Sequence, residues 1–211
     1  MFTNQKLKQL IIPLVIEQIL SVLVGMSDIV MVSSVSEAAV SGVSLVDSIS
    51  VLIINIFAAL ATGGAVVAAQ YLGKGDEQKA CFSAKQLILC TVVISAVIMA
   101  VFLVAGSQLI TLIFGHVEME VLQSARIYLL ITSLSYPFIA LYNSCAALYR
   151  AMGNSRISMF TSLIMNALNI VGNAILIYGF GMGVEGAAIP TLLSRMVCAL
   201  MIVMMLRHRQ T

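Results

Sequence analysis

Residues 86–117 read QLILCTVVISAVIMAVFLVAGSQLITLIFGHV and contain no Asp, Glu, Lys or Arg. An apolar stretch of about 18 or more residues without charges is long enough to cross the hydrocarbon core of a bilayer as a helix. A second charge-free stretch covers residues 157–184. A helix satisfies its own backbone hydrogen bonds, as lipid requires, so both stretches predict transmembrane α-helices.

The composition of the whole chain agrees with a membrane protein. Of its 211 residues, 61% are hydrophobic and only 9% are charged, and the mean hydropathy is +1.07. A soluble domain carries about 25% charged residues. A soluble globular fold is therefore excluded, and the net charge of +2 is too small to indicate nucleic-acid binding.

The apolar pattern divides into six stretches with short polar connections. We predict an all-α polytopic membrane protein, a single six-transmembrane-helix bundle that occupies residues 1–211. The first stretch is too long for the apolar part of a cleavable signal peptide, so we interpret it as the first span. The predicted spans lie at about 10–33, 47–70, 86–112, 125–148, 159–180 and 187–206.

The basic residues alternate between the connections, and this predicts the orientation. Nine of the eleven Lys and Arg residues flank the spans on one side: Lys6, Lys8, Lys74, Lys79, Lys85, Arg150, Arg156, Arg207 and Arg209. The opposite connections carry Glu37, Glu118, Glu120 and Glu185. Because an excess of Lys and Arg marks cytoplasmic loops, both termini are predicted to lie in the cytoplasm, in a multi-pass protein of the cytoplasmic membrane.

Two carboxylates lie within the first predicted span. Glu17 and Asp28 are eleven residues apart, which returns a helix to within about 20° of the same face and separates them by about 16 Å. Ser21 and Gly25 lie on or near that face, which is unlike a surface that meets lipid. Pro13, one turn before Glu17, removes a backbone hydrogen bond and is expected to bend the helix, and Gly25 offers a second place to bend.

Three polar side chains of spans five and six lie at a depth similar to that of Asp28. Counted from the outer ends, Asn173 and Thr191 lie about 7–10 Å below the boundary, as Asp28 does, and Asn169 lies one turn deeper. A carboxylate, two amides and a hydroxyl can bind a hard cation or hydrate a protonatable Asp. The alternative is hydrogen bonding that only holds the helices together.

Arg195 lies near the middle of span six, one turn from Thr191. It can pair with Glu17 or Asp28, or it can line an aqueous cavity, and we favour a structural pair.

No nucleotide-binding loop, zinc-protease motif or nucleophile elbow is present, so we expect neither an enzyme nor a cofactor. The scattered cysteines predict neither a disulfide framework nor a zinc site.

Several stretches together resemble the amino-terminal lobe of the multidrug and toxic compound extrusion (MATE) family. They follow one another in the family's order and at its spacing over nearly the whole chain. They are Pro13 with GMSDIVMV at 25–32, GGAVVAAQYLGKGD at 63–76, ALYRAMGNS at 147–155, NIVGNAILIYG at 169–179 and GVEGAAIPT at 183–191.

The resemblance implies export of organic cations or other amphiphilic compounds, driven by inward flow of Na⁺ or H⁺. It also implies that the cation-coupling site of the lobe consists of Asp28, Asn169, Asn173 and Thr191, with Na⁺ as the bound metal if the transporter is sodium-coupled. One branch of the family has Asp where Asn173 stands, so the identity of the coupling ion stays open.

Tyr128 and Asn143 resemble the polar residues of span four that line the cavity. Glu17 and Arg195 have no counterpart among the family's motifs, and we place them as further candidates for the cavity wall. Pro13 matches the proline at which the family bends span one.

Members of the family have twelve spans in two lobes, whereas this chain has six. The resemblance therefore implies a second six-helix lobe as partner, either another copy in a homodimer or a carboxy-terminal half, besides the lipid bilayer and an amphiphilic small-molecule substrate. Two alternatives stay open: a flippase for lipid-linked oligosaccharides, and a membrane assembly subunit that transports nothing itself.

Overall fold

The computed structural model describes the backbone of residues 4–210 and the side chains of Lys8 and of residues 11–208. The side chains of Lys6 and Arg209, which entered the orientation prediction, lie outside the described residues. All the regular structure in residues 4–210 is helical. The helices are α1 (Asn4–Ser33), α2 (Glu37–Gly73), α3 (Glu77–Phe114), α4 (Met119–Ser133), α5 (Tyr136–Ala151), α6 (Ser155–Ala174) and α7 (Glu185–Gln210), with a π-helical turn at Ile175–Gly179 after α6.

Helices α2 and α3 begin about ten residues before the spans predicted for them. The hydroxyl of Ser36 accepts a hydrogen bond from the backbone N–H of Ala39, at 3.0 Å, and starts α2. The carboxylate of Asp76 accepts one from the N–H of Lys79, at 3.1 Å, and starts α3. Such caps satisfy the free N–H groups of a first turn. Helix α3 therefore begins in the polar sequence of residues 77–85, whereas α2 begins in the largely apolar sequence of residues 37–46, before Asp47.

The fourth predicted span is two helices rather than one. Helices α4 and α5 meet at Leu134 and Ser135 with a bend of 48°. Pro137 stands at the start of α5, where its missing N–H costs no intrahelical bond. The ring of Tyr136 fixes the junction by edge-to-face contacts with Phe57, at 6.3 Å between centroids, and with Phe102, at 5.8 Å. A prediction of one continuous helix over 125–148 was therefore wrong.

The other spans differ less from the prediction. Helix α1 continues without interruption through Pro13 and Gly25. Helix α7 begins at Glu185, two residues before the predicted start, so Pro190 falls in its second turn and not its first. In the described part of the chain, five helices are long and apolar enough to cross a membrane, and six spans result if α4 and α5 count as one. The prediction of an all-helical bundle is confirmed.

Helix α2 is the centre of the bundle and packs against α3, α4 and α5. Gly42 permits the close contact with α4, since a Cβ atom there would lie 2.8 Å from the backbone nitrogen of Ala125. Helix α1 packs on α6, and α6 packs on α7. This arrangement brings α1, α6 and α7 side by side, with α4 and the start of α5 facing α7.

Candidate functional site

A chain of hydrogen bonds joins Asp28, Asn173, Asn169 and Thr191 across three helices. Asn173 Nδ2 donates to Asp28 Oδ1 at 2.6 Å and to Asn169 Oδ1 at 3.3 Å. Asn169 Nδ2 donates to Thr191 Oγ1 at 2.8 Å, and Thr191 Oγ1 donates to the carbonyl of Ala187 at 2.9 Å. The structure thus brings together all four residues expected at the cation-coupling site. We refer to these four as the Asp28 cluster.

The Asp28 cluster contains an oxygen with no partner. Asn173 is fully buried, and its Oδ1 atom accepts no hydrogen bond from any residue that the structure describes. The orientation of this amide is fixed, because its Nδ2 faces two acceptor oxygens. A buried carbonyl oxygen without a donor costs free energy, which a cation or a bound proton donor can recover. The donor set of carboxylate and amide oxygens suits Na⁺ or a protonated Asp28.

Helices α6 and α7 approach closely beside the cluster. Gly172 precedes Asn173, and a Cβ atom at Gly172 would lie 2.7 Å from Cβ of Pro190, which precedes Thr191. The missing side chain therefore lets the two helices come near enough for the bond between Asn169 and Thr191. The π-helical turn at Ile175–Gly179 follows directly, and such turns are frequent at functional sites.

A second carboxylate, which the sequence reasoning missed, lies near Asp28. Asp47 of α2 accepts a hydrogen bond from the hydroxyl of Tyr128 on α4, at 3.2 Å. It interacts electrostatically with Asp28. The span predicted at about 47–70 begins at Asp47, which corresponds to the membrane boundary. Because α2 begins at Glu37, Asp47 lies ten residues, or about 15 Å, along the helix. The capping residue Ser36 was the signal that would have shown this.

Arg195 binds the junction between α4 and α5. Its Nη1 atom donates to Ser135 Oγ at 2.7 Å. The guanidinium is not within ion-pair distance of Glu17 or Asp28 among the described residues, so the favoured structural pair was wrong. Glu17 lies about three turns from Asp28 along α1. Asp28 itself accepts a hydrogen bond from the amide of Asn173. Arg195 still interacts electrostatically with Asp28 and Asp47.

Glu17 belongs to a separate polar group near the middle of α1. Its Oε2 accepts a hydrogen bond from Ser158 Oγ at 2.8 Å and lies 3.8 Å from Arg150 Nη1. Its Oε1 accepts one from Tyr142 Oη at 3.4 Å. Arg150 Nη1 also donates to Ser158 Oγ, at 3.0 Å. Helix α1 is therefore held to α5 and α6 one turn after Pro13, and Glu17 is not part of the Asp28 cluster.

The remaining candidate residues are distributed around these groups. Asn143 is half-buried on α5, and its Nδ2 has no hydrogen-bond partner in the described part of the chain. No hydrogen bond between described residues joins it to the Asp28 cluster. Pro13 is buried, whereas Gly25 is exposed and has open space where a side chain would stand. The described residues contain no group of three or more His, Cys, Asp or Glu side chains of the kind that holds a transition metal.

A half-buried carboxylate bound by the amide of a neighbouring transmembrane helix, beside a broken helix, is typical of polytopic transporters. The MatE family model matches residues 13–175 of this sequence, so the chain belongs to the MatE family. This confirms the resemblance to the multidrug and toxic compound extrusion proteins.

The relatives agree in fold and in sequence. The chain is 30% identical over 202 residues to the uncharacterized transporter YisQ of Bacillus subtilis, covering 93% of this chain and 44% of that protein. It is 30% identical over 203 residues to the probable multidrug resistance protein NorM of Thermotoga maritima, covering 93% and 43%. A solved structure of a MOP superfamily transporter from Pyrococcus furiosus superposes with a TM-score of 0.87 at 26% identity, covering 93% and 43%. The chain thus spans less than half the length of these proteins and corresponds to one lobe.

Proposed function

We propose that this chain is one six-helix lobe of an antiporter that exports amphiphilic drugs or organic cations across the cytoplasmic membrane. Inward movement of H⁺ or Na⁺ drives the export, and no chemical reaction is catalysed. The single observation that carries the proposal is the Asp28 cluster with its unpartnered Asn173 oxygen. Membership of the MatE family and similarity to a probable multidrug resistance protein support it.

The coupling ion binds at Asp28. A proton binds the carboxylate itself, whereas Na⁺ is held by Asp28 together with Asn173 Oδ1, which has no competing donor. Either ion weakens the charge that now attracts the Asn173 amide at 2.6 Å. Since this bond joins α1 to α6, ion binding changes how firmly the two helices pack. A ligand shifts a conformational equilibrium by its differential affinity for the two states, and the cation has such a difference.

The charges around Asp28 fit a single monovalent ion. Asp28 and Asp47 contribute two negative charges when ionised, and Arg195 contributes one positive charge, so the group retains one negative charge. One H⁺ or Na⁺ neutralises it. Tyr128 donates to Asp47 and Ser135 accepts from Arg195, so both of these charges already have hydrogen-bond partners. Asp28 also has a hydrogen-bond partner, but that partner, Asn173, carries the buried oxygen without a donor, so we assign the ion exchange to Asp28.

A second lobe completes the transport pathway. One six-helix lobe supplies one wall of a cavity, and the polar residues of α1 that remain exposed, such as Gln18 and Ser21, would meet lipid without a partner. With both termini in the cytoplasm, a second copy or a carboxy-terminal half fits beside it with the same orientation. Cross-linking in native membranes is expected to trap a complex of two lobes.

Growth in the presence of drugs tests the proposal. A drug-hypersensitive host that expresses the chain with its second lobe is expected to grow in ethidium or norfloxacin at concentrations that stop the empty-vector strain. Ethidium accumulation in the same cells, measured by fluorescence, should fall and should recover when the ion gradient is collapsed by an ionophore. Unchanged growth and unchanged accumulation, with the complex present in the membrane, would contradict export.

A further inference from the structure

A groove of about 470 Å³ lies between α3, α5 and α7, and no residue of the Asp28 cluster lines it. Buried Cys145 lies on its floor. The walls are apolar and come from all three helices. They include Ile88, Leu89, Val92, Leu141, Val203 and Leu206. Leu89 is 64% exposed, so the groove is open along its side and faces the bilayer.

Both charged residues that line the groove are cations. Lys85 immediately precedes the charge-free run of α3 that begins at Gln86, and Arg207 lies in the last turn of α7. No acidic residue lines the groove. Lys85 takes no part in the ion pairs Lys79–Asp76 and Arg150–Glu17. The groove therefore has a positive end at the membrane boundary and an apolar length that continues into the hydrocarbon.

We propose that this groove binds an anionic phospholipid, with the phosphate at Lys85 and Arg207 and an acyl chain along the apolar walls. Lys supplies a compact positive charge, and the Arg guanidinium presents a planar fork that matches phosphate oxygens. Basic pockets between transmembrane helices bind anionic lipid headgroups, and each Lys or Arg contributes about 1 kcal/mol near the surface. A zwitterionic lipid is disfavoured because its ammonium group would approach two cations.

The bound lipid would join α3 to α7. Lys85 comes from α3 and Arg207 from α7, so one phosphate between them ties the two helices together. This site does not depend on the proposed transport function, because none of its residues belongs to the Asp28 cluster.

Native mass spectrometry of the purified full chain, with phosphatidylglycerol and phosphatidylcholine added separately, tests the site. The wild type is expected to retain one phosphatidylglycerol and to exchange phosphatidylcholine freely. K85Q/R207Q should bind phosphatidylglycerol about thirtyfold more weakly, since two favourable charges are lost. The matched control K74Q/K79Q removes the same charge at the same end of the bundle but outside the groove, and it should bind like the wild type.

Two further variants separate the groove from general surface charge. K85R keeps the cation and should retain the lipid, while L89W keeps both cations, fills the apolar wall and should release it. Size-exclusion chromatography confirms that each variant is folded. Equal binding of phosphatidylglycerol by K85Q/R207Q and the wild type would overturn the proposal. An equal loss in K74Q/K79Q would also overturn it, because the lipid would then follow net charge and not the groove.

Discussion

Asn173 Nδ2 on α6 lies 2.6 Å from Asp28 Oδ1 on α1 and also faces Asn169 Oδ1 at 3.3 Å. The Asn173 amide therefore joins two helices that are far apart in the sequence. Its carbonyl oxygen is buried and has no hydrogen-bond donor among the described residues. Asn173, where the resemblance implies Asp in one branch of the family, is thus the residue in direct contact with the carboxylate of α1.

The substitution Asn173→Asp is expected to keep export active and to change the ion preference. It places a second carboxylate in contact with Asp28, and two such charges repel unless a proton or a cation lies between them. Export by reconstituted vesicles is measured with an H⁺ gradient alone and with a Na⁺ gradient alone. The ratio of these two export rates should differ between the variant and the wild type. An unchanged ratio would show that position 173 does not contribute to ion binding.

Thr191→Val is expected to destabilise the chain by about 1–3 kcal/mol, since it removes the acceptor of a buried donor. Asn169 Nδ2 now donates to Thr191 Oγ1 at 2.8 Å, and both residues are buried. Thr191→Ser keeps the hydroxyl and is the matched control. Thermal unfolding in detergent should rank the wild type and the Ser variant close together and the Val variant below them. Equal melting temperatures of all three would contradict the bond.

Gly172→Ala is expected to destabilise the bundle by about 1–3 kcal/mol, as overpacking does. The added Cβ would lie 2.7 Å from Cβ of Pro190, whose ring cannot rotate away. Gly25→Ala is the contrasting variant, because nothing lies within 4 Å of its Cβ position. It should be neutral or raise stability by about 0.5–1 kcal/mol. If Gly25→Ala lowers export without lowering the melting temperature, α1 bends at this residue during transport.

Much of the fold could be predicted from local sequence, because the bilayer imposes helix length and composition. The meeting of Asp28 with Asn173 and Thr191 followed from counting depth along each helix. The start of α2 at Glu37, after the Ser36 cap, was not predicted, since the predicted span begins at the charged residue Asp47. Asp47 was missed for that reason.

The partner of Arg195 required information that no single helix contains. Helical period shows which face Arg195 shares with Thr191, but the rotation of α7 relative to α4 and α5 depends on packing between helices. The break at Ser135 also escaped the apolar pattern, because Leu134 and Tyr136 on either side of it are as apolar as a continuous span. Pro137 was its one visible signal.

Impermeant thiol labelling of intact cells should place Glu37 outside and Lys79 inside, as the distribution of basic residues predicts. Cys81 and Cys90 are exposed and must first be replaced by Ser, whereas Cys145 and Cys198 are buried and can remain. Single cysteines at positions 37 and 79 then report the two sides, because both side chains are exposed. Labelling at position 79 and not at position 37 would contradict the predicted orientation.

Ion-driven export by Asp28→Asn tests the central role of Asp28 most directly. The new amide keeps an oxygen for Asn173 Nδ2, so the variant should fold, but it holds neither a proton nor the charge that attracts Na⁺. Glu17→Gln is the control, a carboxylate on the same helix that Ser158 and Arg150 hold in a separate group. In vesicles that contain the chain with its second lobe, Asp28→Asn should show no ion-driven drug export, while Glu17→Gln should export like the wild type. Wild-type export by Asp28→Asn would show that the coupling charge lies elsewhere.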